Sequence, residues 1–329
     1  MQTAEIKKLV EIRNDIRDLL PSFDEKVLNE RLAILANLKK YFISQDIQEA
    51  SKEIWCLEKI IAIQKMYVFA FNQLKLEKYY EAWCCFENIE IALSQLFRHL
   101  DEKDDFFPLV SFIKQHSFRY QSLFPYKTFI SPEFTVKSRT CSVCNKNSSI
   151  RHPCEHKNGE IYDGEMCYQI WSGIEYVLLA LVNSPVQKFC VTFLTDSETE
   201  EKIDQYNYSI LEYLMSCLQS PFHSWDVHWT KIRHPHSNYS HLDTDDDCPC
   251  ESGESYRNCC LQKSGVLRPH CQFNLSVPPP ESIAAVRYPK STSKKKVEVS
   301  GPTKFHTSIA KISEYLVQTA KGDFVKIQL

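Results

Sequence analysis

The sequence predicts a multidomain α+β chain: an all-helical bundle or array first, then an α+β middle domain, then a small cysteine-rich module and a tail. Three observations predict it. None of the seven glycines of the 329 residues precedes Gly159, which favours long uninterrupted helices in the first part. Apolar residues there recur at helical steps, whereas after Ser131-Pro132 turns and short β-rich runs alternate. Eight of the fourteen cysteines fall into two clusters with metal-ligand spacing. The boundaries that follow are 1–130 for the helical domain, 131–245 for the α+β domain, 246–265 for the module and 266–329 for the tail.

The helices are read in order. Ile6, Leu9, Ile12, Ile16, Leu19 and Leu20 recur mostly at steps of three or four, the pattern of an amphipathic helix. Pro21-Ser22 ends it, and Ser22 with Glu25 has capping-box spacing for a second helix to about Tyr41. Further helices are predicted from Asp46 to Leu74, from Lys78 to Leu100 and from Phe107 to Ser122. Short turns between them imply antiparallel packing. Tyr79-Tyr80-Glu81-Ala82-Trp83 is faintly like a tetratricopeptide helix, but no 34-residue period supports that, and these aromatics are expected in the core. Cys56, Cys84 and Cys85 lie on helix faces and are expected as buried thiols.

The middle domain is read as cysteine cluster, helix, strand, helix, strand. Phe189 to Leu194 suits a buried strand, Ile203 to Leu218 an amphipathic helix, and Trp225 to Ile232 an alternating strand. The tail carries Pro278-Pro279-Pro280 and Lys294-Lys295-Lys296, the latter read as a solvated linker. Pattern returns in Thr307 to Ala320, read as a helix, and Phe324 to Leu329, read as a strand.

Cys141-Ser-Val-Cys144 is a knuckle of the zinc-ribbon type: its tight turn lets backbone N–H groups face two thiolates that share an ion. Nine residues on, Cys154-Glu-His156 completes a Cys3His shell, the imidazole binding in its neutral form. Cys167 is an alternative to His156, since turns at Gly159 and Gly164 can return it to the site; His152 is a weaker one. The order of Cys141, Cys144, Cys154, His156, Gly159, Tyr162, Gly164 and Cys167 resembles a small bacterial zinc-binding domain, a resemblance that implies no activity. His228, His234, His236 and His241 crowd near one strand end and are expected as surface or edge-strand histidines. Cys271, after His270, is ambiguous.

The second cluster is Cys248-Pro-Cys-Glu-Ser-Gly-Glu-Ser-Tyr-Arg-Asn-Cys-Cys260. Cys248 and Cys250 can face one way from an extended stretch. Ser252-Gly253 can reverse the chain, and Cys259-Cys260 can return as the start of a short helix, closing a four-thiolate shell on one Zn²⁺; two disulfides or free thiols are the other readings. Cys248, Pro249, Cys250, Ser252, Gly253, Tyr256, Cys259 and Cys260 closely resemble the SEC-C motif. The resemblance covers roughly twenty residues and implies a small zinc-binding docking module, as found at the tail of the bacterial preprotein translocase motor, which contacts the secretion chaperone and the ribosome. The translocase version carries Gly after its first C-x-C and lysines in the loop. Here Glu251, Glu254 and Ser255 stand in those places, with Asp243, Asp245, Asp246 and Asp247 upstream. Between Asp243 and Cys260 six carboxylates oppose one Arg257, so a basic partner surface is expected instead of an acidic chaperone.

Two Zn²⁺ per chain, both structural, are therefore expected. No catalytic residue is assigned: H-E-x-x-H, the P-loop, G-x-S-x-G and the dinucleotide glycine pattern are missing, and Pro153-Cys154-Glu-His156 lacks the second cysteine of the nucleobase-deaminase motif. Formal net charge is −3, which disfavours bulk attraction to nucleic acid. The start of the chain has no secretory pattern, and the run Ile174 to Val182 is too short to span a bilayer. A reducing cytoplasm is the expected location. The expected function is a cytoplasmic adaptor making protein–protein contacts through the module and the helical domain. One alternative is nucleic-acid binding around Cys141 to His156, aided by Arg139, Lys146, Arg151 and Lys157. An enzyme of unknown reaction is the other.

Overall fold

The computed structural model describes residues 2–278, except Pro21, Ile150, His152 and Ser197, together with 314–318 and 324–328. The fold is mixed α+β, with six α-helices and small, mainly antiparallel sheets among the described residues. The chain divides into two compact units, 1–208 with 289–329, and 209–288.

The first unit begins with five helices: α1 (Gln2–Leu19), α2 (Glu25–Ser44), α3 (Gln48–Lys75), α4 (Tyr79–Leu96) and α5 (Phe107–Leu123). Leu9, Ile12, Ile16 and Leu20 are all buried, so most of the predicted stripe of the first helix packs, while Ile6 at its start is exposed. The central helix α3 buries residues all round its circumference, among them Ile54, Leu57, Ile61, Tyr67 and Phe71. Tyr79, Trp83 and Phe86 join the core, with Phe86 stacked on Tyr120 at 5.0 Å. Lacking glycine, the helix ends place other residues in the left-handed region: Asp46 at φ 57° and Glu77 at φ 60°. Both ends close as Schellman turns, Ile47 N–H donating to Phe42 O and Lys78 N–H to Gln73 O, each at 2.9 Å. Ser22 is not the cap of α2. Phe23 turns at φ 47°, so the helix starts later, with the Asp24 carboxylate accepting from Val27 N–H at 3.1 Å; the Ser22 hydroxyl donates back to Leu19 O.

After the helices, β1 (Phe129–Cys141) and β4 (Gln169–Val182) form a long antiparallel ribbon with a bulge at Glu133/Phe134. Between them lies a two-residue hairpin, β2 (Ile161–Tyr162) with β3 (Glu165–Met166). The helix expected between the first cluster and Phe189 is thus a strand: Ile170, Trp171, Ile174, Tyr176 and Val177 are β-formers, and β1 supplies a partner along the full length. Near its start β4 also pairs in parallel with β10 (Phe324–Gln328), which pairs with β9 (Glu314–Gln318), giving the order β1-β4-β10-β9. Residues 314–318, expected as helix, are therefore strand; the rest of that expectation, with Pro279, Pro280 and the Lys294–Lys296 run, lies outside the described residues.

Phe189 to Leu194 is buried in alternation at Phe189, Val191 and Phe193 but is not a continuous strand. Val191 bridges to Phe129 and Phe193 is also a bridge residue, before the short pair β5 (Leu194–Thr195) and β6 (Lys202–Ile203). The helical bundle holds it instead. The Tyr80 hydroxyl donates to Phe189 O, the Trp83 indole to Lys188 O, and Glu87 accepts from Lys188 N–H.

In the second unit, α6 (Ser209–Cys217) is shorter than the expected Ile203 to Leu218, because Ile203 belongs to β6 and Asp204 organises a turn by accepting from Tyr206 N–H and the Tyr208 hydroxyl. β7 (Trp225–His234), the alternating strand expected there, pairs with β8 (Val266–Leu275) in an unbroken ten-pair antiparallel register. The second cluster lies between them, flanked by short 3-10 turns at His236–Tyr239 and Cys260–Gln262. No helix among the described residues is long and apolar enough to cross a membrane.

Candidate metal centres

Both clusters close the turn of a long antiparallel ribbon. In the first, β1 ends on Cys141, which pairs with Gln169 at the start of β4. The knuckle is fixed by backbone bonds: Cys141 N–H donates to Lys146 O, Ser148 N–H to Arg139 O, and Asn145 N–H to Cys141 O. Asn145 takes φ 57°, a value asparagine tolerates well. Val143 N–H points at the Cys141 sulfur, 3.4 Å away. Burial pushes the Cys141 thiol up, but hydrogen bonds from the Cys144 and Val143 N–H groups and from the Cys154 and Cys144 side chains together leave the group below its ordinary value.

The donor atoms of Cys141, Cys144, Cys154 and His156 all lie within 4.8 Å of one another. That is the spacing a single tetrahedral ion requires, and the sulfur-rich set suits Zn²⁺. His156 adds a second sign of fit. Its Nδ1 is buried with no hydrogen-bond partner among the described residues, a costly state that an approaching cation would relieve. The imidazole is held edge-on to Tyr162, ring centroids 4.7 Å apart. Cys167 returns on the β2–β3 hairpin, as the glycine turns suggested, and its sulfur lies 3.8 Å from that of Cys141. It is outside the mutually close set of four. His152 lies outside the described residues.

Sequence reasoning missed what holds this cluster in place. Gly159 O bonds the His99 ring at 2.8 Å. Lys39 bridges Glu58 and Glu165 at 2.9 and 2.7 Å, while the Gln48 side-chain amide donates to the Asp163 carboxylate and accepts from its backbone N–H. Helices α2 and α3 and the turn after α4 thus grip the hairpin by polar contacts between residues 60 to 126 apart in the chain, for which no local sequence signal exists.

The second cluster is more compact. Cys248, Cys250, Cys259 and Cys260 also have donor atoms within 4.8 Å of one another. Cys250 and Cys259 sulfurs are 3.5 Å apart, and those of Cys259 and Cys260 4.0 Å. The first pair turns through Glu251 at φ 62° and Gly253 at φ 82°. An Asp247–Ser255 bridge and Cys248 N–H to Glu254 O at 2.8 Å close the loop. The Ser252 hydroxyl is the chief cause that draws the Cys250 thiol down to about 6, whereas burial pushes Cys248 up to about 12. The two thiols of this pair are thus driven in opposite directions.

Cys248, Tyr256, Cys260 and Val266 form the buried core of this knob, so half of that core belongs to the candidate donor set. The knob is latched to its ribbon from outside the motif. The Tyr256 hydroxyl meets His236 Nδ1 at 2.6 Å while Nε2 meets Lys263 O at 2.8 Å. Because a carbonyl only accepts, it is the Nε2 proton that is donated to Lys263 O. Arg268 donates to Pro249 O and pairs with Glu251. Gly265 is required sterically: a Cβ there would stand 2.4 Å from His234 O, at φ 147°. Of the four crowded histidines, His236 is thus a structural latch, and no group containing them is arranged to hold an ion among the described residues. Cys271 is a half-buried thiol that burial pushes up to about 11.

No protein-family model, no curated protein and no solved structure matches this chain.

Proposed function

We propose that this chain is a zinc-stabilised, non-catalytic cytoplasmic adaptor whose SEC-C-like knob docks onto a protein partner with a basic surface. The observation that carries this reading is closure. Each cluster draws four donors, three or four of them thiols, to within 4.8 Å of one another, and a shell completed by the protein leaves no position for substrate or reactive water. The role of the ion is then to fold the module. Thiolates such as Cys250 accept it readily, whereas the Cys248 proton must leave as it binds.

The choice of partner rests on charge. Asp243, Asp245, Asp246, Asp247, Glu251 and Glu254 are all exposed on the knob. Among the described residues, ion pairs engage only Asp245, with Arg257, and Glu251, with Arg268. A four-thiolate zinc site adds a further net −2. Such a surface attracts cationic partners over about a Debye length, roughly 8 Å at physiological salt.

Affinity capture with the wild-type chain and with a Cys259→Ser plus Cys260→Ser variant tests this. The variant should lose partners whose capture by wild type weakens as salt rises, and its first unit should keep its helical circular dichroism. Identical captured sets would reject the docking role. Capture of nucleic acid by both proteins, with a steep salt slope, would favour the Cys141–His156 region as a nucleic-acid surface.

A further inference from the structure

The first cluster holds one sulfur more than a four-coordinate ion uses. We propose that Cys167 is a reserve thiol that resolves peroxide oxidation of Cys141 into a Cys141–Cys167 disulfide, disarming the metal site. The proposal rests on the zinc reading of the Cys141, Cys144, Cys154 and His156 set. Three observations carry it. The two sulfurs already stand in contact at 3.8 Å, although Cys167 is outside the set of four mutually close donors. Both residues are nearly fully buried, 2% and 3% exposed, so neither thiol is free to move off into solvent. The segments that carry them are tied together: Ser142 N–H donates to Tyr168 O, and Tyr168 N–H to the Ser142 hydroxyl, each at 3.0 Å. Cys167 is itself fixed at both backbone groups, its N–H donating to Glu160 O and its carbonyl accepting from Gly159 N–H, each at 2.7 Å.

The chemistry balances with hydrogen peroxide as the oxidant. The Cys141 thiolate sulfur attacks one peroxide oxygen, the O–O bond breaks, and a sulfenic acid forms while hydroxide leaves and takes up a proton as water. The Cys167 sulfur, giving up its proton, attacks the sulfenic sulfur. The S–S bond forms, the S–O bond breaks, and a second water departs. Two cysteine sulfurs lose two electrons in total, and one peroxide becomes two waters. Cys141 then no longer offers a thiolate, and the donor set falls from four to three.

The experiment treats the full chain with limiting hydrogen peroxide, blocks remaining thiols, maps disulfides by mass spectrometry without reduction, and follows zinc with a chromogenic chelator. The expected result is a Cys141–Cys167 peptide pair appearing together with loss of one metal. Cys167→Ala should keep the full metal content before treatment and release it about tenfold more slowly under peroxide, having lost its resolving thiol. Three results would overturn the proposal: a Cys144–Cys154 disulfide in place of the predicted pair, an unchanged release rate in Cys167→Ala, or loss of one metal from that variant before any oxidant, which would make Cys167 a ligand. Untreated wild type lacking zinc would instead refute the zinc reading, and the peptide map would still report on the thiol pair.

Discussion

Two ribbons carry two clusters, and they solve one problem differently. In the β1–β4 ribbon the first ligand, Cys141, is the last residue of a strand, and the hairpin that follows is gripped by His99, Lys39 and Gln48 from the helices. In the β7–β8 ribbon the strands end before the cluster begins. There the thirteen residues from Cys248 to Cys260 supply all four donors, and two of those donors are core. The first cluster is held by its surroundings, the second chiefly by its own ligands. Metal should therefore matter far more to the fold of the second.

Removing metal tests this most directly. Chelation should abolish hydrogen-exchange protection of the Tyr256 and Arg257 amides, which bond Asp246 O and Thr244 O, since metal binding in such modules supplies about 10 kcal/mol of folding free energy. The Cys167 amide, bonded to Glu160 O inside the gripped hairpin, should keep part of its protection. Equal loss at both places would break the comparison. Next in size is the neck of the knob. Gly265→Ala drives a Cβ into His234 O and should cost about 3 kcal/mol or more. Gly253→Ala meets nothing within 4 Å at φ 82° and should cost only about 1 kcal/mol by urea unfolding.

Acidity separates the clusters more gently. In the metal-free knob Cys248 keeps its proton up to about 12, whereas Cys250 releases its own near 6. Zinc must displace the Cys248 proton throughout the neutral range, and this thiol alone contributes about a tenfold fall in affinity per unit as pH drops. Below about 6 the Cys250 proton has to be displaced as well, and the slope should steepen; competition titrations would read it. The smallest effect compares two left-handed residues that each follow the second cysteine of a pair. Asn145 suits its φ of 57°, but Glu251 at 62° does not. Asn145→Ala should destabilise by about 1 kcal/mol. Glu251→Gly should gain a similar amount from the backbone and forfeit about 0.5 kcal/mol of the exposed Arg268 pair, leaving a small net stabilisation in thermal melts.

What was legible in the sequence follows from where the determining contacts lie. The knob could be read because its donors and turn residues are neighbours in the chain. Helices α1 to α5 could be read because periodicity and the missing glycines are local. β4 could not: Ile174 to Val182 is a nearly continuous apolar run without a period, and only the pairing with β1 decides its state. Residues 314–318 join a sheet through β10, whose partner β4 lies about 150 residues earlier. The capping error at Ser22 turned on one backbone angle, at Phe23. Glu251 takes a left-handed conformation that suits glycine better, and it adds a tether to Arg268.

The register of the β7–β8 ribbon has an engineering consequence. His234 and Val266 face each other as a cross-strand pair, so the 31 residues 235–265 enter and leave through a gap of about 5 Å. An insertion with its ends so close is portable. Replacing it with an Asn-Gly turn should leave a self-contained hairpin, while transplanting it, with Gly265 and an arginine at the Arg268 position, would give a host protein a removable acidic head without lengthening either of its strands.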